Sequence, residues 1–562
     1  MGETLKMKRK KSIALLCATL LGIIIFCILC VPAEVRPVFY VYNQNNQEKI
    51  QIYDAGDGNN YVFLPAYADI EQMTVSVPQH SQMMLNNVRI DNEMSCRNLA
   101  LETPYELKVG NETVKLWFYQ SKNIPALHID TETGSMDKIH EDKRYEEAVS
   151  VSLYTAEGKL DFAQSTALLT GRGNTTWTYN KRPYTLKLLD DGNLLNMGNA
   201  KKWVLLANAA DQSHLNNKLV FDLAKRVGME WSPEGEYVDV YFNGEYHGLY
   251  LLAEKVEISS DRLDIKPNEG EFLCEMTSGE VEAAKLIRTK NGRNCELHNQ
   301  EMVSAEQMKG MASLVDELES VILSDADLTT VDLLDLDSWA CRYIIDEIAA
   351  NVDSDRDSSY FYFADGKFHA GPVWDYDKGF GNCQQSRNPW SFVANNYKRS
   401  AYSVLPYYHA LYHNQSFQKR VREIFHEQFL PVLEEQMNDA IDKLVEEIQA
   451  AERMDNLRWE NQTPHEQSSA LIRTNPETVK SYINARVDFL KSAWIDGKEY
   501  CTVQFDMKNG WEYVNYAVEK ELCLSVSDEN INSVDWINTA TGEQFDFKQP
   551  ITEDLVLTKS EE

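Results

Sequence analysis

Apolar and polar positions alternate in short runs between Pro37 and Asn123: Val38-Phe-Tyr-Val-Tyr, Tyr61-Val-Phe-Leu, Met73-Thr-Val-Ser-Val, Tyr105-Glu-Leu-Lys-Val and Val114-Lys-Leu-Trp-Phe-Tyr. Alternation places every second side chain on one face of a sheet. Asp57-Gly and Val109-Gly-Asn supply turns. The pattern predicts five or more strands and a small all-β, sandwich-like domain over 34–123.

From Ile124 the pattern is mixed. Strand-like runs come first: Val149-Ser-Val-Ser-Leu-Tyr, Tyr184-Thr-Leu-Lys-Leu, Trp203-Val-Leu-Leu-Ala, Tyr237-Val-Asp-Val-Tyr-Phe and Gly248-Leu-Tyr-Leu-Leu. Among them Leu215, Leu219, Leu223 and Val227 recur every fourth residue, with Asp211 available as N-cap and Gly228 as stop, which predicts one helix. Asn243-Gly244 is a hairpin signal. After residue 300 helices are expected over Ala305–Leu323, Leu336–Ala350, Ser416–Glu452 and Pro476–Ala493. Strands return from Tyr500. The expected fold class is α+β: a kinase-like domain of a strand-rich lobe and a helical lobe over 124–495, flanked by small all-β domains at 34–123 and 496–562.

Lys6, Lys8, Arg9, Lys10 and Lys11 precede an uncharged run from Ser12 to Ala33, long enough to cross a bilayer as a helix. Positive flanks stay cytoplasmic. Residues 1–33 are therefore expected to be a basic tail and a transmembrane signal-anchor in the cell membrane, with the bulk of the chain outside. Cleavage near Ala33, in Val31-Pro-Ala33, is the alternative and would release the protein. The cysteines after the anchor (Cys96, Cys274, Cys295, Cys341, Cys383, Cys501, Cys523) contain no Cys-x-x-Cys pair, so they form neither a zinc site nor a dense disulfide framework. Isolated bridges such as Cys274–Cys295 or Cys501–Cys523 stay open. At 562 residues the chain exceeds one hydrophobic core. Its net charge of -32 argues against a nucleic-acid partner.

The chemistry concentrates in two acidic stretches, Asn351-Val-Asp353-Ser-Asp355-Arg-Asp357-Ser358 and Trp374-Asp375-Tyr376-Asp377. The first follows an apolar helix. A hairpin through Ala364-Asp365-Gly366-Lys367 returns the chain so that Asp375 approaches Asp353. Converging carboxylates suit divalent metal and phosphate chemistry, one orienting a hydroxyl and another holding the cation. Asp353 and Ser358 stand in the D-x-x-x-x-S relation where protein kinases place D-x-x-x-x-N. Asp377 could ligate metal or cap the Gly379 turn. Upstream, Thr170-Gly-Arg172-Gly173-Asn174-Thr-Thr-Trp177 is a polar turn whose glycines let backbone approach a ligand. Lys187, on the strand that follows, can point into an interlobe cleft or face water.

Together GRGNTTW, KRPYTLKL, WVLLANAADQSHLNN, EYVDVYFNGEYHGLYLLAEKVEI, NVDSDRDSSYFYF and FHAGPVWDYDKGFGN resemble the successive motifs of the spore-coat CotH kinase family, over roughly Ile124 to Trp494. The resemblance implies an atypical protein-kinase-like fold that binds ATP with Mg²⁺ or Mn²⁺ and phosphorylates serine or threonine of a partner protein. It places Arg172, Gly173 and Asn174 in the nucleotide-covering loop, Lys187 on the phosphates and Glu254 at the adenine hinge. It makes Asp353 the catalytic aspartate and Asp375 the metal aspartate, with Asp377 and Ser358 beside it. The family commonly has His-Asn where this chain has Asp357-Ser358, and an Arg-Asn pair where Asn216-Asn217 stands. The segment from Val534 to Leu557 resembles the closing half of an internalin B-repeat, which implies a surface protein. Two other functions stay open beside the enzyme: a non-catalytic adhesin or scaffold binding a cell-wall or surface ligand through the β domains, and a nucleotide-binding pseudokinase.

Overall fold

The computed structural model describes residues 37–43, 46–77, 82–91, 98–299, 303–394, 406–459, 474–508, 513–526 and 528–560. The expected anchor lies outside them, as does Cys96. Among the described residues no helix is long and apolar enough to cross a membrane. The architecture is α+β. The described residues fall into two compact units, one reaching Leu64 and including Ala68–Tyr119, the other holding Pro65–Tyr67 and everything from Gln120 onward.

The first unit contains a three-stranded and a six-stranded sheet that take in the alternating runs and also Asn46–Gln51, Tyr53–Asp54, Met83–Leu85 and Val88–Ile90. Phe39 of the smaller sheet and Phe118 of the larger are buried edge to face, ring centroids 5.4 Å apart.

The second unit opens with a closed barrel of seven strands, Ala126–Thr131, Glu147–Tyr154, Leu160–Gly171, Tyr184–Asn193, Asn199–Leu206, Gly235–Phe242 and Glu245–Glu254, shut by a parallel pairing of the first with the sixth. Its interior takes one face of each strand, including Leu127, Val151, Leu186, Leu188, Trp203 and Leu252. Asn243 and Gly244, with φ of 54° and 86°, make the two-residue turn between the last two strands. The helix Asn216–Arg226 buries Leu219, Val220, Phe221 and Leu223. Its N-cap position is Leu215, without a side-chain cap, rather than Asp211, which lies earlier in a turn and accepts from the Ser213 and Asn216 amides at 3.0 and 2.8 Å.

Beyond the barrel lies a five-stranded sheet in the order Leu286–Arg288, Asn294–Leu297, Phe272–Met276, Ser359–Ala364, Lys367–Ala370. Its core is shared with the helices. Ala305–Ile322 starts on a Ser304–Gln307 capping box and Pro476–Trp494 on an Asn475–Thr478 one. Leu336–Ala349 starts on Asp335 and stops at Ala350 in the left-handed region. The single helix expected over 416–452 is instead interrupted. Gln415–Ile424 runs into a π turn at Phe425–Phe429, then Leu430–Glu435, then Met437–Trp459. Pro431 has no N–H for the ladder and its ring crowds the preceding turn, so the helix widens there.

Four strands near the C-terminus, Tyr500–Asp506, Tyr513–Glu519, Trp536–Asn538 and Leu555–Lys559, form a separate sheet over Phe505 and Trp536. Neither open disulfide forms: Cys274, Cys295, Cys341, Cys383, Cys501 and Cys523 are all free thiols, and only Cys523 is exposed.

Candidate active site

The helix Leu336–Ala349 delivers the first acidic stretch. It ends abruptly because Ala350 takes φ 49°, and the chain then turns repeatedly, with Asp355 and Ser358 also left-handed at φ 62° and 52°. Asp375 takes φ 67°. Such backbone is costly for non-glycine residues and persists only where its surroundings impose it.

Between the two stretches lies Asp346, fully buried on that helix. Its carboxylate accepts from Arg342 Nε at 3.1 Å, Ser354 Oγ at 2.7 Å and Tyr376 Oη at 2.6 Å. One carboxylate thus ties the Asp353 loop to the Asp375 loop. Arg342 also donates to the Pro372 carbonyl at 2.9 Å. From the barrel side, Asn217 accepts from the Tyr376 amide at 2.8 Å, and Asn216 donates to the Asp377 and Gly379 carbonyls at 3.2 and 3.1 Å. The asparagine pair therefore holds the backbone that presents both aspartates.

The two loops face a cleft of about 610 Å³. Its lining includes Arg172, Gly173, Asn174, Asp353, Ser358, Asp375 and Asp377, so these expected site residues meet. Asp353 pairs with Lys378 at 2.8 Å, and Ser358 Oγ donates to Asp375 at 2.9 Å. Burial, then the Asp353 charge, raises the Asp375 carboxyl above the usual carboxylate range. Burial, then the Asp375 charge, pushes Asp377 up to about 7. In the loop at 172–178, Gly173 takes φ 78°, and a Cβ there would lie 2.2 Å from Thr176 Oγ1. Lys143 Nζ donates to the Gly173 carbonyl at 2.6 Å, and the Arg172 guanidinium lies over the Trp374 ring at 5.2 Å. Arg172 Nη1 and Asn208 Oδ1 are sequestered there without a hydrogen-bond partner. Asp357 also lines the cleft, but it binds Arg356 Nε at 2.6 Å and the Ser278 amide at 2.6 Å, which offsets its charge.

Two expected site residues stay out of the lining. Leu186 and Leu188 fill the barrel, so strand alternation turns Lys187 outward into solvent, opposite Lys202. Glu254 is buried, accepting from the Glu234 amide at 2.9 Å with Arg262 Nε at 3.5 Å. The next residue, Lys255, reaches the cleft instead. Burial brings its ammonium down to about 8. Lys255 and Lys378 were both legible as lone cations beside conspicuous features, the end of an apolar strand and the second acidic stretch. Asp346 carried no signal beyond its place on the helix.

A strand barrel and a helical region thus present aspartates and a glycine-bearing loop to one cleft. Residues 169–490 match the family model described as CotH kinase protein. This span is more than half of the 562 residues, and the chain belongs to the CotH kinase family. No curated protein matches it.

Proposed function

We propose that this chain transfers the terminal phosphoryl group of ATP, with Mg²⁺ or Mn²⁺, to a serine or threonine hydroxyl of a surface or secreted protein, on a kinase-like two-lobed fold. The observation that carries the reading is the meeting, in one cleft, of Asp353, Asp375 and Asp377 with Arg172, Lys255 and Lys378. The acceptor oxygen attacks the γ-phosphorus, the bond to the bridging oxygen breaks, and ADP leaves. Asp353 orients the acceptor hydroxyl and takes its proton, while Lys378 beside it faces the charge that moves. Lys255 and Arg172, rather than Lys187, hold the phosphates, and the loop at 172–176 covers them.

The residues fit a hard divalent cation. Burial, with the charge of neighbouring aspartates, makes Asp375 and Asp377 resist ionisation, which a bound cation would reverse. Asp375 and Asp377 would hold it, with Ser358 the weaker donor. Bound there, the cation supplies neutralisation of phosphate charge.

Transfer of label from ATP by the full chain, lost in Asp353→Ala and Asp375→Ala, is the expected result. The Ser358 hydroxyl already donated to Asp375 favours a second reading, a pseudokinase, which metal-dependent ATP binding without transfer would select. Neither binding nor transfer would leave the adhesin or scaffold. The basic flank and uncharged run at 6–33 support a membrane anchor with the bulk outside. Protease digestion of intact cells tests it.

A further inference from the structure

Strands Phe272–Met276 and Asn294–Leu297 pair antiparallel with Glu275 directly opposite Glu296. Two carboxylates facing each other across a strand pair repel, and such a pairing needs a compensating charge. His298 lies two residues beyond Glu296, on the same face. Its Nε2 is 2.8 Å from Glu275 Oε2. Tyr360, opposite Glu275 on the other neighbouring strand, donates its hydroxyl to the same oxygen at 2.8 Å. The nearby lysine, Lys285, is 3.9 Å from Glu296, and its side chain is 47% exposed. One donor atom from each of Glu275, Glu296 and His298 lies within 4.8 Å of the other two.

The geometry points to a second cation site at Glu275, Glu296 and His298, distinct from the aspartate cluster and suited to a borderline divalent ion such as Zn²⁺. One imidazole and two carboxylates are a zinc-type donor set, and three protein ligands leave a fourth position open. Tetrahedral bonds of about 2.1 Å place donors about 3.4 Å apart. The Glu275–His298 separation of 2.8 Å is shorter than this and no separation exceeds 4.8 Å, so small side-chain rotations suffice. The side chains are 19%, 31% and 20% exposed, which leaves room for those rotations and a path of entry. Glu275 and His298 line the cleft, so the ion would brace the wall that carries Thr277, Ser278 and Gly279. The site stands whether or not the chain transfers phosphate.

Calorimetric titration of ZnCl₂ into the chelator-stripped full chain, without nucleotide, tests it. Wild type should bind Zn²⁺ more than about tenfold tighter than His298→Ala and Glu296→Gln, while Asp375→Asn keeps the tight site. Thermal melts establish that each variant is folded. If His298→Ala is not folded, the isosteric Glu296→Gln carries the comparison. Identical isotherms for wild type and Glu296→Gln, or tight zinc binding lost only in Asp375→Asn, would overturn the assignment. A zinc-edge anomalous peak among the three side chains would support it.

Discussion

Lys255 is one of the cleft groups whose charge changes near neutral pH. Burial lowers its ammonium to about 8 against the opposing pull of Glu257, so its positive charge is lost as pH rises through that value. ATP affinity should fall between about pH 7.5 and 9 in wild type and hold flatter in Lys255→Arg, whose charge persists. Coincident calorimetric profiles would refute the assignment of Lys255 to the phosphates. Asp377 acts in the opposite direction. Its folded value near 7 exceeds the unfolded carboxylate value, so the folded chain binds the extra proton between the two. Without metal, the contribution of Asp377 to stability is fully present below the unfolded value and is lost as pH rises through about 7. A cation must displace that proton, so Mn²⁺ affinity should increase from about pH 6 to 8. EDTA should then lower the melting temperature more at pH 8 than at pH 6 in a metal-loaded sample.

At the level of elements, the helix Leu336–Ala349 does more than deliver Asp353. Asp346→Ala would leave the buried Arg342 guanidinium without its carboxylate and free both loops. The expected loss is about 3–5 kcal/mol in urea unfolding, and transfer should fall even at temperatures where the variant remains folded. Gly248 marks another close approach. It has φ 127°, and a Cβ there would sit 2.3 Å from Asp455 Oδ1, whose carboxylate accepts from the Leu249 amide at 2.8 Å. Gly248→Ala should cost more than about 1 kcal/mol through strain and loss of that docking, measured by the same unfolding. Much of this level was legible. Caps at Ser304, Asp335 and Asn475 and the Asn243-Gly244 turn are local chemistry, which sequence encodes directly. Lys187 shows the limit, because alternation says that a residue points away from its neighbours, not which side faces the cleft. The interruption at Pro431 was readable from the proline alone.

Across the second unit, the C-terminal sheet is fastened to the helical region. The Ala517 amide donates to the Trp390 carbonyl at 2.9 Å, Asn388 Nδ2 donates to the Asn515 carbonyl at 3.1 Å, and Tyr500 packs on Phe489 with ring centroids 5.1 Å apart. Removing residues 500–562 should expose Phe489, shift tryptophan emission to the red and lower the unfolding midpoint. An unchanged midpoint would make the sheet a passive attachment. Periodicity revealed the first and last strands of that sheet but not Tyr513–Glu519 or Trp536–Asn538, and not the sheet's partner, since a hydrophobic face does not name what covers it. Because Asp346 grips both acidic loops with one carboxylate, the spacing between them resists stretching. A cradle of fixed span discriminates ions by radius. Ca²⁺, which demands longer bonds and more oxygens, should therefore fail to replace Mg²⁺ in turnover assays, and relaxing the grip with Asp346→Asn should narrow the difference between the two ions.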